Sequence, residues 1–194
     1  MKRFYGYIKT DNLESYKEYN PEVCELPKEY KLKDLGEVWD QGSKGSCVSC
    51  SISEMYNFYQ ISHGRKLDIP YTYVYDKRSD KSLDGMQPAE GFKILSDEGR
   101  IKMFSRISTL DSLKQSILAN GPALIAMTVR DTDRTDFWNG PTAQNIGHAV
   151  AVVGYNQDSL IIKNSWGYSY GEYGYWYLPF NDFQVVKEAW TIIK

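Results

Sequence analysis

Three cysteines and two histidines are the whole thiol and imidazole stock of this 194-residue chain, so chemistry that needs both must draw on five residues. Cys47 follows Asp40-Gln41-Gly42-Ser43-Lys44-Gly45-Ser46, a tight loop with exposed backbone, and opens an apolar helical stretch. A thiol at a helix start sits at the positive end of the macrodipole, which lowers its pKa and favours the nucleophilic thiolate. Gln41 brings a side-chain amide to the same space, where it and the backbone N–H of the helix start can stabilise an oxyanion. His148 begins an apolar strand in Gly147-His148-Ala149-Val150, and Asn164 ends another in Asn164-Ser165-Trp166-Gly167. Cys, His and Asn supply a nucleophile, a base and a group that orients the base. Trp166 is placed to cover the His–Asn hydrogen bond. Plainer roles stand beside these: a free cysteine is commonly a small buried hydrophobe, and a histidine at a strand start a hydrogen-bonded core residue.

Those residues need elements to hold them. From Ser46 the apolar positions 48, 52, 55, 56, 58, 59 and 61 recur at helical spacing on one face, and Gly64 stops the run. Further helices are expected at Tyr71–Lys77, at Pro88–Asp97 before Gly99, and after an Asp111 N-cap up to Gly121. Beyond Pro122 the texture changes to short β-branched and aromatic runs, ALIAMTV, HAVAVVGY, SLIIKNSWG, GYWYLPF and AWTIIK. Helices first and strands second predict an α+β protein with a helical lobe, an antiparallel sheet lobe and a cleft between them. His63, just before Gly64, fits a helix C-terminus. Residues 1–36, rich in Lys, Glu and Tyr, suggest an extension that wraps the surface in pieces.

Composition narrows the function classes. With 23 Lys+Arg against 25 Asp+Glu there is no basic excess to bind nucleic acid. No apolar run approaches the ~20 residues that span a bilayer, and the N-terminus lacks the apolar core of a secretory signal. An intracellular, reducing setting without membrane attachment is expected, in keeping with an odd cysteine count. Cys47 and Cys50 form a CxxC pair, but only Cys24 and two distant histidines remain to complete a zinc site, so no metal or cofactor is expected.

Taken together, LPKEY (26–30), DQGSKGSC (40–47), NGP (120–122), GHAVAVVGY (147–155) and IKNSWGYSYGEYGYWYL (162–178) resemble the papain-like cysteine peptidases, in the style of bacterial and viral members. The resemblance implies a papain-like two-lobe fold, the second lobe an antiparallel β-barrel-like one, with the active-site cleft between. It implies Cys47 as nucleophile, His148 as general base and acid, Asn164 as orienter, Gln41 as oxyanion donor and Trp166 as shield. Gly85 and Met86 correspond to the segment whose backbone pairs with substrate, and Asn145, Ile146 and Gly147 border the opposite wall. The implied activity is endopeptidase cleavage of a polypeptide through an acyl-enzyme. An isopeptidase or acyl transferase would use the same residues, and a non-catalytic binder would keep the fold.

The departures are specific. Lys44 and Val48 replace a cysteine and an aromatic of the usual signature, and His148 follows Cys47 by 101 residues where ~130–150 is typical. Cys50 lies nearly one turn into the helix and reads as a core thiol. The expected division is residues 1–25 as an extension or short pro-like segment and 26–194 as the peptidase domain, with the helical lobe mainly 40–120 and the β lobe mainly 121–194. The first 25 residues are expected to act as a surface strap or as an inhibitory segment that blocks the cleft in cis.

Overall fold

The computed structural model describes residues 5–66, 68–129 and 146–193. Four helices are present: α1 (Cys47–Ser62), α2 (Tyr73–Asp76), α3 (Pro88–Asp97) and α4 (Leu110–Asn120). The strands are β1 (Tyr30–Lys31), β2 (Met103–Ile107), β3 (Ala123–Val129), β4 (Ile146–Tyr155), β5 (Ser159–Lys163), β6 (Tyr175–Pro179) and β7 (Val186–Ile193). They form one antiparallel sheet in the order β2-β7-β3-β4-β5-β6, with β1 added to the end of β4. Among the described residues no helix is long and apolar enough to cross a membrane.

Two apolar cores lie against this sheet. One gathers α1, α2 and α3 with Leu124, Ala126, Ala149 and Trp190 of the strands. The other holds Ile125, Met127, Val150, Val152, Leu160, Ile162 and Trp176. Alternation along β3 divides them, because successive side chains of a strand face opposite sides. Trp190 anchors the first core, with Phe92 at 5.9 Å and Phe104 at 6.0 Å between ring centres. Burying such a ring is worth about 2–3 kcal/mol.

Four details differ from the sequence reading. α1 is buried nearly all round, with Ser49, Ser53, Glu54 and Asn57 enclosed as well as its apolar face, because it lies between the α2–α3 layer and the sheet. α4 is capped by Thr109, whose hydroxyl accepts from Ser112 N–H at 3.1 Å, so Asp111 falls in the first turn. Leu113 and Ile117 of α4 enter the core on the sheet's other face, so this helix packs with the strands and not with α1–α3. Strand β2, Met103–Ile107, interrupts the helices-then-strands order. Its Ser and Arg conceal it, and β7 supplies the pairing that its own residues do not announce.

Candidate active site

Cys47 is the first residue of α1, and its loop is tied down on both sides. Gly45 N–H donates to Asp84 Oδ1 at 2.7 Å, and the Tyr75 hydroxyl reaches the same oxygen at 2.7 Å, which fixes the 84–86 segment beside the nucleophile. Gln41 crosses to the sheet side: its backbone N–H donates to Ser165 O at 2.8 Å, and its Oε1 accepts from Ser165 Oγ at 2.6 Å. Gln41 Nε2 donates to Lys44 O at 2.8 Å, holding the amide next to the loop that leads into Cys47.

His148 lies on β4 and Asn164 immediately after β5. Ala151 pairs with Lys163, so the two side chains sit two residues apart on one face. His148 Nε2 and Asn164 Oδ1 are 2.9 Å apart. Ser165 N–H donates to that Oδ1 at 2.8 Å, which marks it as the acceptor and therefore puts the imidazole proton on Nε2. Trp166 stacks on the imidazole at 4.3 Å between ring centres and 20° between planes, covering the hydrogen bond from solvent. His148 itself is fully buried.

Behind these residues α1 and β5 are joined by a buried ion pair. Lys163 Nζ donates to Glu54 Oε2 at 2.8 Å and to Gly36 O at 2.6 Å. Burial pushes the Glu54 carboxyl up and the Lys163 ammonium down, each countered by its partner. The pair links the helix that begins at Cys47 to the strand that leads into Asn164. Breaking it by removing one member would strand a buried charge.

The cleft is occupied by the chain itself. Residues 5–10, the strap, run between the 85–86 segment and β4. Met86 N–H donates to Gly6 O at 2.9 Å, Ile8 N–H to Met86 O at 3.1 Å, and Tyr7 N–H to Gly147 O at 3.2 Å, so Tyr7 bridges Met86 in parallel. Tyr5 meets Trp166 and His148 edge-on at 5.8 and 6.0 Å. At Gly6 the approach to the nucleophile's loop is so close that a Cβ would lie 1.7 Å from Gly45 O. A Cβ on Gly147 would lie 2.5 Å from Tyr7 O. Thus Gly85, Met86 and Gly147 line the strap, Gly6 passes against Gly45 with its N–H beside Cys47, and Tyr5 faces His148 and Trp166. Asn145 lies outside the described residues.

Burial in the fold corrects the expected acidity of the thiol. Cys47 is fully buried, and burial pushes its pKa up to about 11 from an ordinary value of 9.0. The backbone N–H groups of Ala149 on β4, of Gly6 in the strap and of Val48 and Cys47 at the helix start act in the opposite direction, but desolvation outweighs them. Cys50, one turn on, is buried beside Ser46 Oγ, and burial first and Cys47 second push its thiol up further. Cys24 lies outside the cleft, its Sγ 2.9 Å from Gln115 Oε1 on α4.

Two participants carry no sequence signal. Tyr5, Gly6 and Tyr7 of the strap are joined to residues 39 or more positions away. Glu188 is a single acid in an apolar strand, and only folding turns it toward the strap.

Comparison with known proteins adds to this geometry. The family profile described as papain family cysteine protease matches residues 40–189. An uncharacterized peptidase C1-like protein of Acanthamoeba polyphaga mimivirus is 31% identical over 139 residues, covering 62% of this chain and 45% of the viral protein. The chain spans about half the length, or less, of curated relatives that it matches. Among solved structures, xylellain, a cysteine protease from Xylella fastidiosa, superposes with a TM-score of 0.82 at 23% identity over 98% of this chain and 96% of that one. Digestive procathepsin L 3 of Tenebrio molitor superposes with a TM-score of 0.75 at 22% identity, over 96% and 75% of the two chains. Proforms are thus among the structures that share this fold.

Proposed function

This chain belongs to the papain family of cysteine proteases, and from that premise we propose that it is a thiol endopeptidase held in check by its own residues 5–10. The observation that supports the reading is that Cys47 lies at the N–H groups of Gly6 and of Ala149, the latter next in the chain to a His148 that is bonded to Asn164, while Gln41 is bonded to Ser165 beside that Asn. The charge balance and the backbone-lined cleft favour a polypeptide substrate recognised by strand-like pairing.

In the cycle, His148 takes the proton of Cys47 Sγ. With Nε2–H held by Asn164, Nδ1 is the nitrogen that exchanges it. The thiolate adds to the scissile carbonyl carbon, and Gln41 Nε2 and the Cys47 N–H hold the oxyanion. The C–N bond breaks as His148 returns the proton to the leaving amine. His148 then deprotonates a water that attacks the thioester, releasing the acid and regenerating the thiol.

This chemistry sets the direction of a productive substrate. Its leaving amine must lie on the His148–Trp166 side and its acyl portion on the Met86 side, so the peptide runs from Met86 toward Trp166. The strap runs the other way, with Tyr5 at Trp166 and Ile8 at Met86. It uses the cleft's backbone groups while presenting its peptide bonds reversed, which supports a blocking role for a segment that is not cut. The thiol held near 11 supports the same reading, because little thiolate exists at neutral pH until the strap leaves.

The test is hydrolysis of fluorogenic peptide amides, combined with an epoxide probe and peptide mapping. Turnover is expected to be low in the full chain, to rise when residues 5–10 are displaced by mutation, and to vanish in Cys47→Ala. The probe is expected on Cys47 and not on Cys50 or Cys24. Turnover that survives Cys47→Ala overturns the assignment.

A further inference from the structure

The peptide group between Lys44 and Gly45 is gripped at both ends. Its carbonyl, Lys44 O, accepts from Gln41 Nε2 at 2.8 Å, and its N–H, on Gly45, donates to Asp84 Oδ1 at 2.7 Å. Asp84 is an exposed residue 39 positions further along the chain. The approach is close: a Cβ on Gly45 would lie 2.3 Å from Asp84 O, so only a residue without a side chain fits there. The carboxylate is held in turn. The Tyr75 hydroxyl donates to the same Oδ1 at 2.7 Å, and Tyr75 N–H donates to Ser49 Oγ on α1 at 3.2 Å. The Arg78 guanidinium lies over the Tyr75 ring at 3.7 Å, and it donates to Tyr75 O at 2.7 Å and to Leu83 O at 3.2 Å. Asp84 thus stands on a scaffold that leads back to the helix of Cys47.

The Gln41 amide is the other end of this chain of bonds. Its Oε1 accepts from Ser165 Oγ at 2.6 Å, and its Nε2 faces Lys44 O. An amide NH2 is planar, so the hydrogen given to Lys44 O fixes the direction of the second one. Lys44 O is therefore the mark against which the oxyanion donor is aimed, and whatever tilts the Lys44–Gly45 plane tilts the donor. A charge-assisted bond at the N–H end holds that plane and polarises the carbonyl toward Gln41. We propose that Asp84 is a positioning residue of the oxyanion site, acting through the Lys44–Gly45 peptide group to aim the Gln41 amide.

That role differs measurably from a general support of the loop. Hydrolysis of an amide passes through an oxyanion, whereas alkylation by iodoacetamide displaces iodide from carbon and develops no charge on a carbonyl oxygen. Both reactions need the Cys47 thiolate and an open cleft. The ratio of their rates therefore isolates the oxyanion donors. Removing such a donor outright costs about 100- to 1,000-fold in kcat, and a donor misaimed by loss of its support is expected to cost less, about tenfold.

This inference rests on the peptidase reading, and the experiment separates the two. The full chain carrying Tyr7→Ala, which withdraws the phenol from Glu188 and loosens the strap, is the parent protein. Two quantities are measured: kcat/KM on a fluorogenic peptide amide, and the second-order rate of iodoacetamide labelling of Cys47. Asp84→Ala is expected to lower the ratio of the two about tenfold. Asp84→Asn, which keeps an acceptor oxygen, is expected to hold it within about threefold. Once Gln41→Ala is in place, adding Asp84→Ala is expected to change the ratio by no more than about threefold, because the two residues act as one unit. A ratio unmoved by Asp84→Ala, or a full loss that persists without the Gln41 amide, overturns the proposal and leaves the peptidase reading intact. Should Asp84→Ala not fold, Tyr75→Phe decides the matter: withdrawing the phenol alone is expected to lower the ratio about threefold, and an unmoved ratio overturns the proposal. Absence of turnover in the Tyr7→Ala parent overturns the peptidase reading, and this inference with it.

Discussion

Residues 5–10 meet the rest of the chain at the cleft, through Met86, Gly147 and the Glu188 carboxylate. Residues 17–31 of the same N-terminal stretch meet it through structural strands. Arg106 N–H donates to Lys17 O at 3.0 Å and Tyr19 N–H to Arg106 O at 2.8 Å, covering the free edge of β2. Farther on, Tyr30 and Lys31 pair with β4, and Leu32 N–H donates to Val153 O at 3.0 Å. The first part occupies places that something else must occupy during turnover. The second satisfies sheet edges that would otherwise be open to pairing with another chain. A single extension thus has a part that, on the proposed blocking role, leaves before turnover and a part whose departure would cost the fold.

Several perturbations would break or sharpen that contrast. The largest effect is expected from Gly6→Ala, whose methyl has no room against Gly45 O and must displace the strap. Lowering the thiol from about 11 toward its ordinary 9.0 raises the thiolate fraction near pH 8 about 100-fold. Iodoacetamide labelling of Cys47 should rise accordingly while the melting temperature holds, and unchanged labelling would mean that residues 5–10 do not control access. The sign of the pH dependence follows from the same linkage. The strapped pKa is the higher one, so the protonated thiol's contribution to docking is complete below pH 9 and is lost as pH climbs through about 11. Alkali, not acid, is expected to loosen the strap through Cys47.

Next in size is Tyr7→Phe, which deletes one donor to the Glu188 carboxylate. A hydrogen bond to a charged group is worth about 1.5–3 kcal/mol, so labelling should rise about tenfold at least. In the second part, Arg106→Ala removes bonds to Tyr16 O and Glu18 and should cost about 1 kcal/mol in urea unfolding with no change in labelling. A rise in labelling there would show that the two parts are coupled. The smallest effect belongs to Cys24→Ala, an exposed thiol bonded to Gln115, for which a stability change within about 0.5 kcal/mol is expected.

What could be read from the sequence was what is written locally. The strands β3, β4 and β5 announce themselves by unbroken β-branched runs, and α3 by its Pro at the start and Gly99 beyond its end. Cys47 and His148 stand out as candidates because thiols and imidazoles are few here, and Gln41 and Asn164 because their settings recur in one family. β2 escaped because five residues containing Ser and Arg take their strand identity from β7. The cap of α4 was misplaced because Thr109 and Asp111 are both good caps, and only the fold decides between them. The strap's contacts, those with Glu188 included, depend on pairings across most of the chain length, and no local pattern encodes those. The acidity of Cys47 was misjudged for the same reason: the dipole is local, whereas the burial that outweighs it is set by the whole fold.

The continuity of the backbone from Thr10 onward has a kinetic consequence. A tethered blocker competes at an effective concentration fixed by the length of its tether, on the order of millimolar for short flexible connections. Dilution does not relieve it, and doubling the protein does not deepen it. On the proposed blocking role, substrate therefore competes with a constant local occupant, which is expected to raise the apparent KM while leaving the rate at saturation to the chemistry.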